Sequence, residues 1–251
     1  MALTLNQDQQ LLKDSAQSFC QHNAPVSMLR KLRDSKDSDG FDRQLWQQMI
    51  ALGWAGMAIP EAYGGFDFGY GGLGVVLEET GRTLVSSPLI STVLVAATVI
   101  NELGSEQQKQ DLLPKIVAGE LLIALALDEQ TSHAPNRIAT TASKSGADYI
   151  LNGRKTFVLD GHVAQQLIVV ARTSGETDSE AGISLFLLDS NAEGVNCQRS
   201  WMVDSRNSAQ LEFVNVKLGA NALLGELDKG FDGLDRALDV ALSIRPAHAQ
   251  C

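Results

Sequence analysis

Positive charge is scarce in this sequence. Twenty Lys and Arg stand against thirty Asp and Glu, a formal net charge of −10. A nucleic-acid or anionic-membrane surface needs clustered cations, so neither partner is expected. The one basic cluster, Arg30, Lys31 and Arg33, runs at once into Asp34, Asp37 and Asp39 and reads as an ordinary solvated face. Cysteine is sparse as well: Cys20, Cys197 and Cys251 are odd in number and far apart. That argues against a disulfide framework or a zinc site and points to a reduced, cytoplasmic setting. No uninterrupted apolar run reaches membrane-spanning length. The N-terminus lacks the basic-then-apolar order of a signal peptide.

The sharpest catalytic signatures are missing too. His-Glu-x-x-His, paired Cys-x-x-Cys and Gly-x-Ser-x-Gly do not occur, which removes the clearest metal and hydrolase readings. Gly69, Gly71 and Gly74 have the spacing of a dinucleotide loop, but Gly65-Phe66-Asp67-Phe68 is no preceding strand and no suitable acidic residue follows. A flexible lead-in to a helix explains them better. The adjacent Glu78 and Glu79 would point about 100° apart on a helix and cannot converge on one proton. The histidines are scattered. His162 follows the turn Asp160-Gly161 and reads as a loop hydrogen-bonding residue, whereas His133 lies in a bend where a ligand role is open.

What is present divides by period. Up to about Glu120 the apolar residues recur at helical spacing: Leu5, Leu12, Ala16 and Phe19, then Leu45, Trp46, Met49 and Leu52, then residues 75–82 and 89–100. Thr4 with Gln7 and Ser105 with Gln108 suit capping boxes, and Asp42 suits an N-cap. Pro25 should end the first helix, Gly53 the second, and Pro114 should bend or end the last. Residues 53–65 are too glycine-rich for a helix and read as a packed loop.

From Leu121 the pattern changes to short apolar runs bounded by turns. Residues 121–127, 166–172 and 183–188 read as strands, and 210–218 alternates as a half-buried strand should. Asn152-Gly153 is a hairpin signal. Helical periodicity returns after Gly230, with Leu234, Leu238, Ala241 and Leu242 on one stripe and Arg245-Pro246 beyond. The expected fold is α+β: an all-helical domain at 1–120, an antiparallel, β-barrel-like domain at 121–226, and at 227–251 the start of a C-terminal helical domain. The final stripe is expected to be covered by self-association or by a second polypeptide. The alternative is that the helix folds back on the N-terminal helices or frays after Leu242.

Several segments in shared order resemble the acyl-CoA dehydrogenases. They are Leu45-Trp46, Leu52-Gly53-Trp54, Pro60-Glu61-Ala62-Tyr63-Gly64-Gly65, Glu78-Glu79-Thr80-Gly81-Arg82, the stretch from Gly104 through Leu113-Pro114 to Gly119-Glu120, Tyr149-Ile150-Leu151-Asn152-Gly153-Arg154-Lys155, and Ala171-Arg172. The resemblance implies α,β-dehydrogenation of an acyl-CoA thioester, with FAD as hydride acceptor and a carboxylate as base. It implies cofactor contacts at Leu125, Leu127, Asp128, Phe157, Val158 and Leu159, and substrate contacts at His133 and Ala134. Asp128 stands where the family has a hydroxyl, Ala134 where it has a serine, and Phe157-Val158-Leu159 where it has Trp-Ile-Thr. FAD is therefore expected to be weakly held or absent in this chain alone. The family's base lies in the C-terminal bundle, so it is expected beyond residue 251 or on a partner, with no catalytic residue inside 1–251. An electron-transfer partner and a homo- or hetero-oligomer are implied for an active protein. The alternative is a non-catalytic acyl-CoA- or flavin-binding or assembly subunit that requires a partner chain; acyl-CoA oxidases and nitroalkane oxidases are lesser possibilities on the same scaffold.

Overall fold

The computed structural model describes residues 5–244. The first helix, α1 (Gln7–Asn23), begins with a capping box made by Asn6 and Gln9, whose side chains each take the other's backbone N–H at 2.8 and 3.1 Å. Thr4, the residue expected to cap, lies outside the described residues, as does Arg245-Pro246. Pro25 stops α1 and leads into α2 (Val26–Asp34), a short amphipathic helix with no fully buried residue, whose Met28 packs partly buried against the helical core. Asp42 caps α3 (Arg43–Ala51) through the Leu45 N–H, and Gly53 closes it at φ +80°. Residues 53–65 pack as two 3₁₀ turns, Trp54–Gly56 and Glu61–Tyr63. Trp54 is buried edge-on against Phe19 at 5.1 Å.

The fourth helix, α4 (Gly69–Arg82), starts earlier than its apolar pattern. Gly71 and Gly74 lie inside it, where an added Cβ would come within 3.2 Å of Gln9 on α1 and of Ile244. These glycines thin the helix for close packing and do not cradle a phosphate. A π-helical segment, Leu89–Ala96, runs into α5 (Ala97–Leu103). Ser105 and Gln108 form the expected capping box of α6 (Glu106–Val117). Pro114 does not end α6. It sits within the last turn, flanked by buried Leu112, Leu113 and Ile116, and its carbonyl still accepts the Ala118 N–H at 2.9 Å.

Eight strands follow: β1 (Ile123–Ala126), β2 (Thr141–Ser145), β3 (Asp148–Leu159), β4 (Gln166–Arg172), β5 (Ile183–Asp189), β6 (Val195–Trp201), β7 (Asn207–Leu218) and β8 (Leu223–Leu224). They form one sheet in the order β6-β7-β3-β2-β4-β5-β8, with β1 beside β4. The α+β division holds, but the sheet is mixed and open where an antiparallel, barrel-like one was expected. The β1–β4 pairing is parallel, Ile123 to Ala126 against Gln166 to Val169. Both strands are nearly continuous apolar runs, the pattern of strands covered on both faces. Ile168 and Val170 of β4 join the core of the helical half, while Leu167, Val169 and Ala171 face a second core with Phe186, Leu211 and Phe213.

The hairpin signal at Asn152-Gly153 is misplaced. Those residues lie inside β3, and the β2–β3 turn is Gly146-Ala147, with Gly146 at φ +65°. Asn152 instead accepts the Asn215 N–H at 2.8 Å, stabilising a bulge in β7 where Asn215 takes φ +53°. Gly153 is required because a Cβ there would lie 2.4 Å from Thr140 Oγ1.

The last helix, α7 (Phe231–Ser243), folds back on the helical half, against the physical argument for an outside partner. Leu234, Ala237 and Ala241 are buried against it, and Gly233 allows Leu103 within 2.2 Å of where a Cβ would stand. Arg236 also meets Glu102 at 3.3 Å. Of the stripe, only Leu242 is left exposed, at 50%. No helix among the described residues is long and apolar enough to cross a membrane.

Candidate functional site

The segments singled out by sequence meet where β1 runs out and β3 bulges. Up to Lys155, β3 alternates regularly, with Tyr149, Leu151 and Lys155 inward. Continued alternation would bury Phe157 and Leu159. Instead the pairing with β7 slips: Lys155 stands opposite Leu211 but Val158 opposite Ala209, so β3 carries one extra residue. A bulge of this kind reverses which side chains face the core. Val158 becomes the buried one, at 1%, and Phe157 and Leu159 turn outward at 42% and 37% exposure. Phe157 takes φ +52°, a left-handed conformation that an aromatic L-residue adopts only at a cost.

The other wall is the end of β1 and the loop after it. The Thr156 N–H donates to the Asp128 carbonyl at 2.7 Å. The Lys155 ammonium donates to the Leu127 carbonyl at 2.9 Å and to Glu129 Oε1 at 2.7 Å. Glu129 also accepts the backbone N–H groups of Ala139 and Thr140, at 2.7 and 2.9 Å, where the chain enters β2. Complete burial pushes the Lys155 amine down to about 8 against the pull of Glu129. Burial works to raise the Glu129 carboxyl, but the Lys155 charge and the hydrogen bonds to it outweigh that and hold it below the usual range. On the loop, His133 Nδ1 lies 3.1 Å from Asp128 Oδ1, both partly exposed. Farther along, Arg172 donates to the carbonyls of Asn136, Thr177, Ser179, Ala181 and Ile138, so one guanidinium folds two loops against each other.

At the far end of the bulged segment, Asp160 is half-buried and accepts from Ser91 of the π-helical segment at 2.5 Å. Burial pushes its carboxyl up to about 6, against opposing hydrogen bonds from Ser91 and Asn207 and the charges of Arg199 and Arg206. Arg199 and Asn207 continue this polar contact between the two halves, reaching the backbone of Ser38 and Asp39. His162, which meets the Asp39 carbonyl at 3.3 Å, is held below its ordinary value by burial and by Arg199. Its loop role thus fits the sequence reading.

The eight sequence-chosen residues therefore do not all present side chains to one face. Asp128, His133, Phe157 and Leu159 are accessible. Leu125 and Leu127 pack toward the helical core, leaving only their backbone at the site, and Val158 belongs to the inner core of the sheet. Ala134 is half-buried, its carbonyl accepting the Arg137 N–H at 2.9 Å. Sequence reasoning missed Lys155, Glu129 and Asp160. A lysine at an inward position of an alternating strand was the available signal for the first.

An exposed aromatic ring held outward at a strained φ, with Leu159 beside it, suits the flat apolar face of a flavin. The polar complement suits it less: the Asp128 carboxylate offers acceptors, Leu159 offers no hydroxyl, and His133 Nδ1 is already engaged with Asp128. The residues fit an isoalloxazine face and backbone contacts to its edge.

The family model described as the acyl-CoA dehydrogenase N-terminal domain matches residues 6–120, and that of the middle domain matches residues 124–216. A mitochondrial long-chain specific acyl-CoA dehydrogenase of Sus scrofa is 34% identical over 195 residues, 75% of this chain and 45% of that protein. A mitochondrial isovaleryl-CoA dehydrogenase of Pongo abelii is 31% identical over 248 residues, 94% of this chain and 57% of that one. The chain thus spans about half the length of these curated relatives. The solved butyryl-CoA dehydrogenase of Megasphaera elsdenii superimposes with a TM-score of 0.83 at 27% identity, covering 96% of this chain and 64% of that one.

Proposed function

This chain belongs to the acyl-CoA dehydrogenase family, and from that premise we propose that it takes part in the FAD-dependent α,β-dehydrogenation of an acyl-CoA thioester. The observation that carries the reading is the bulge in β3, which turns Phe157 and Leu159 outward beside the Asp128 loop with Phe157 held at a costly φ of +52°. In this reading FAD, when bound, supplies the acceptor for the hydride. Phe157 and Leu159 cover its apolar face, and the backbone at Leu125, Leu127, Asp128 and Val158 meets its polar edge. His133 and Ala134 border the acyl-CoA. We assign no catalytic base among the described residues. We divide the chain at residues 120 and 226 into helical, β and C-terminal helical parts, the middle one carrying this face. An electron-transfer partner would reoxidise the flavin, and assembly into an oligomer would complete the site. The free thiols of Cys20 and Cys197 support a reducing, cytoplasmic setting.

A second reading is favoured by one observation: the carboxylate of Asp128 replaces a neutral donor at the site. On it, the chain binds the thioester or cofactor without turning over. The test incubates the purified protein with added FAD, an electron-accepting dye and a panel of saturated acyl-CoA thioesters. Formation of 2-enoyl-CoA, read by mass spectrometry, supports the first reading. Saturable thioester binding that stays without product when a partner chain carrying the base is added supports the second, and no preference for thioesters over free acids overturns both.

A further inference from the structure

The ion pair of Lys155 and Glu129 is buried on both sides, with side-chain exposures of 0% and 10%. Such a pair adds little stability over an apolar pair of similar volume, because both ions must be desolvated. A methionine would pack in this strand at less cost, so the lysine calls for another account, and its contacts supply one. Lys155 Nζ holds the Leu127 carbonyl at the end of β1 and Glu129 in the loop that follows. Through Glu129 it reaches the N–H groups of Ala139 and Thr140, which lead into β2. Its chain neighbour Thr156 donates to Asp128, and the next residue is Phe157. One ammonium thus joins three segments at the place where the aromatic ring leaves the sheet. The other charges acting on this pair are Asp128 and Arg172.

We propose that Lys155 is a positioning residue for the flavin: by tying Leu127 and Glu129 to β3, it fixes the Asp128 backbone and the Phe157 ring in one rigid face. Lys155 does not touch the cofactor; it acts through the backbone it holds. The inference rests on the flavin reading above, and its test separates the two. Lys155→Met keeps the length of the side chain and removes the ammonium. Glu129→Gln keeps a hydrogen-bonding group at the loop and removes the charge, so it remains informative if the methionine variant does not fold. Lys155→Arg restores charge with the wrong geometry.

Two readouts are needed. Hydrogen exchange of the ligand-free protein follows peptides covering residues 125–131 and 155–160, with peptides of α1 and α6 as controls. Titration with FAD follows the circular dichroism of the bound flavin in the visible range, a signature of its orientation. The expected result is faster exchange confined to the two site peptides, a loss of FAD affinity of about tenfold or more, and a weakened flavin signal that Lys155→Arg restores only in part. Unchanged exchange at both peptides in Glu129→Gln overturns the proposal whatever FAD does. So does FAD binding with wild-type affinity and dichroism in either variant. If the wild-type protein binds no FAD, the flavin reading fails and with it the positioning of a flavin, while the exchange data still show whether Lys155 joins the three segments.

Discussion

Replacing Asp160 by asparagine should make the protein more stable, and only above a defined pH. Asp160 is half-buried at the junction between the bulged strand and the π-helical segment, and desolvation of its carboxyl there raises it from 3.8 to about 6. A carboxyl whose pKa is raised on folding binds its proton more tightly in the native state than in the unfolded chain. Native stability therefore falls as pH rises from the unfolded value to the folded one, and the loss is constant above that. The shift of about two units corresponds to roughly 3 kcal/mol at about 1.4 kcal/mol per unit. Asparagine has nearly the same shape and cannot ionise, so Asp160→Asn removes the penalty. Rearranged contacts to Ser91 and Asn207 reduce the gain to about 2 kcal/mol. The assay is urea denaturation of both proteins between about pH 4 and pH 8. Taking the difference cancels the other carboxylates. It should lie slightly below zero at the acid end, by the cost of the rearranged contacts, rise by about 3 kcal/mol between about pH 4 and pH 6, and level off at about 2 kcal/mol in favour of asparagine. A difference flat with pH, or a variant less stable at pH 8, would refute the assignment of a burial penalty to this group.

Two further substitutions test the scaffold around the site. Gly153→Ala meets Thr140 and a φ of +151°, so it should cost about 1–3 kcal/mol in denaturant unfolding, and Thr140→Gly should recover part of it. Arg172→Ala leaves several loop carbonyls without a donor, costing about 1–3 kcal/mol, and should expose residues 173–182 to limited proteolysis. Arg172→Lys should rescue little, because one ammonium cannot span the same carbonyls.

The helix–sheet division was legible because the apolar period changes at Gly119, and the caps at Asp42, Ser105 and Gly53 announced themselves by local chemistry. The parallel β1–β4 pair was written in two unalternating apolar runs, yet apolarity alone does not say which strand lies beside which. Asn152-Gly153 misled because a local turn preference lost to two tertiary demands, the bulge in β7 and the approach of Thr140. The terminal stripe was expected to be covered by another chain; Leu234 and Ala241 are instead covered from within, by Leu103 and the α5 face more than a hundred residues earlier, while Leu242 stays exposed. At the site, period-two reasoning would have buried Phe157. Only the extra residue in β3, a property of pairing between strands, turns it outward. Lys155 was signalled by its inward place in an alternating strand, but its partner Glu129, like Ser91 beside Asp160, is distant in sequence and could not be named from it.

The central claim is that Phe157 forms part of a flavin-binding face, and the most direct measurement is an absorbance titration with FAD of the purified protein and of Phe157→Ala. The ring is exposed enough that its removal leaves the fold intact, which a matching thermal unfolding curve would verify. The wild-type protein should perturb the flavin bands saturably, and Phe157→Ala should bind about tenfold or more weakly, as loss of a stacked aromatic contact requires. Indistinguishable titrations of the two proteins, or no perturbation by the wild type at any concentration, would contradict it.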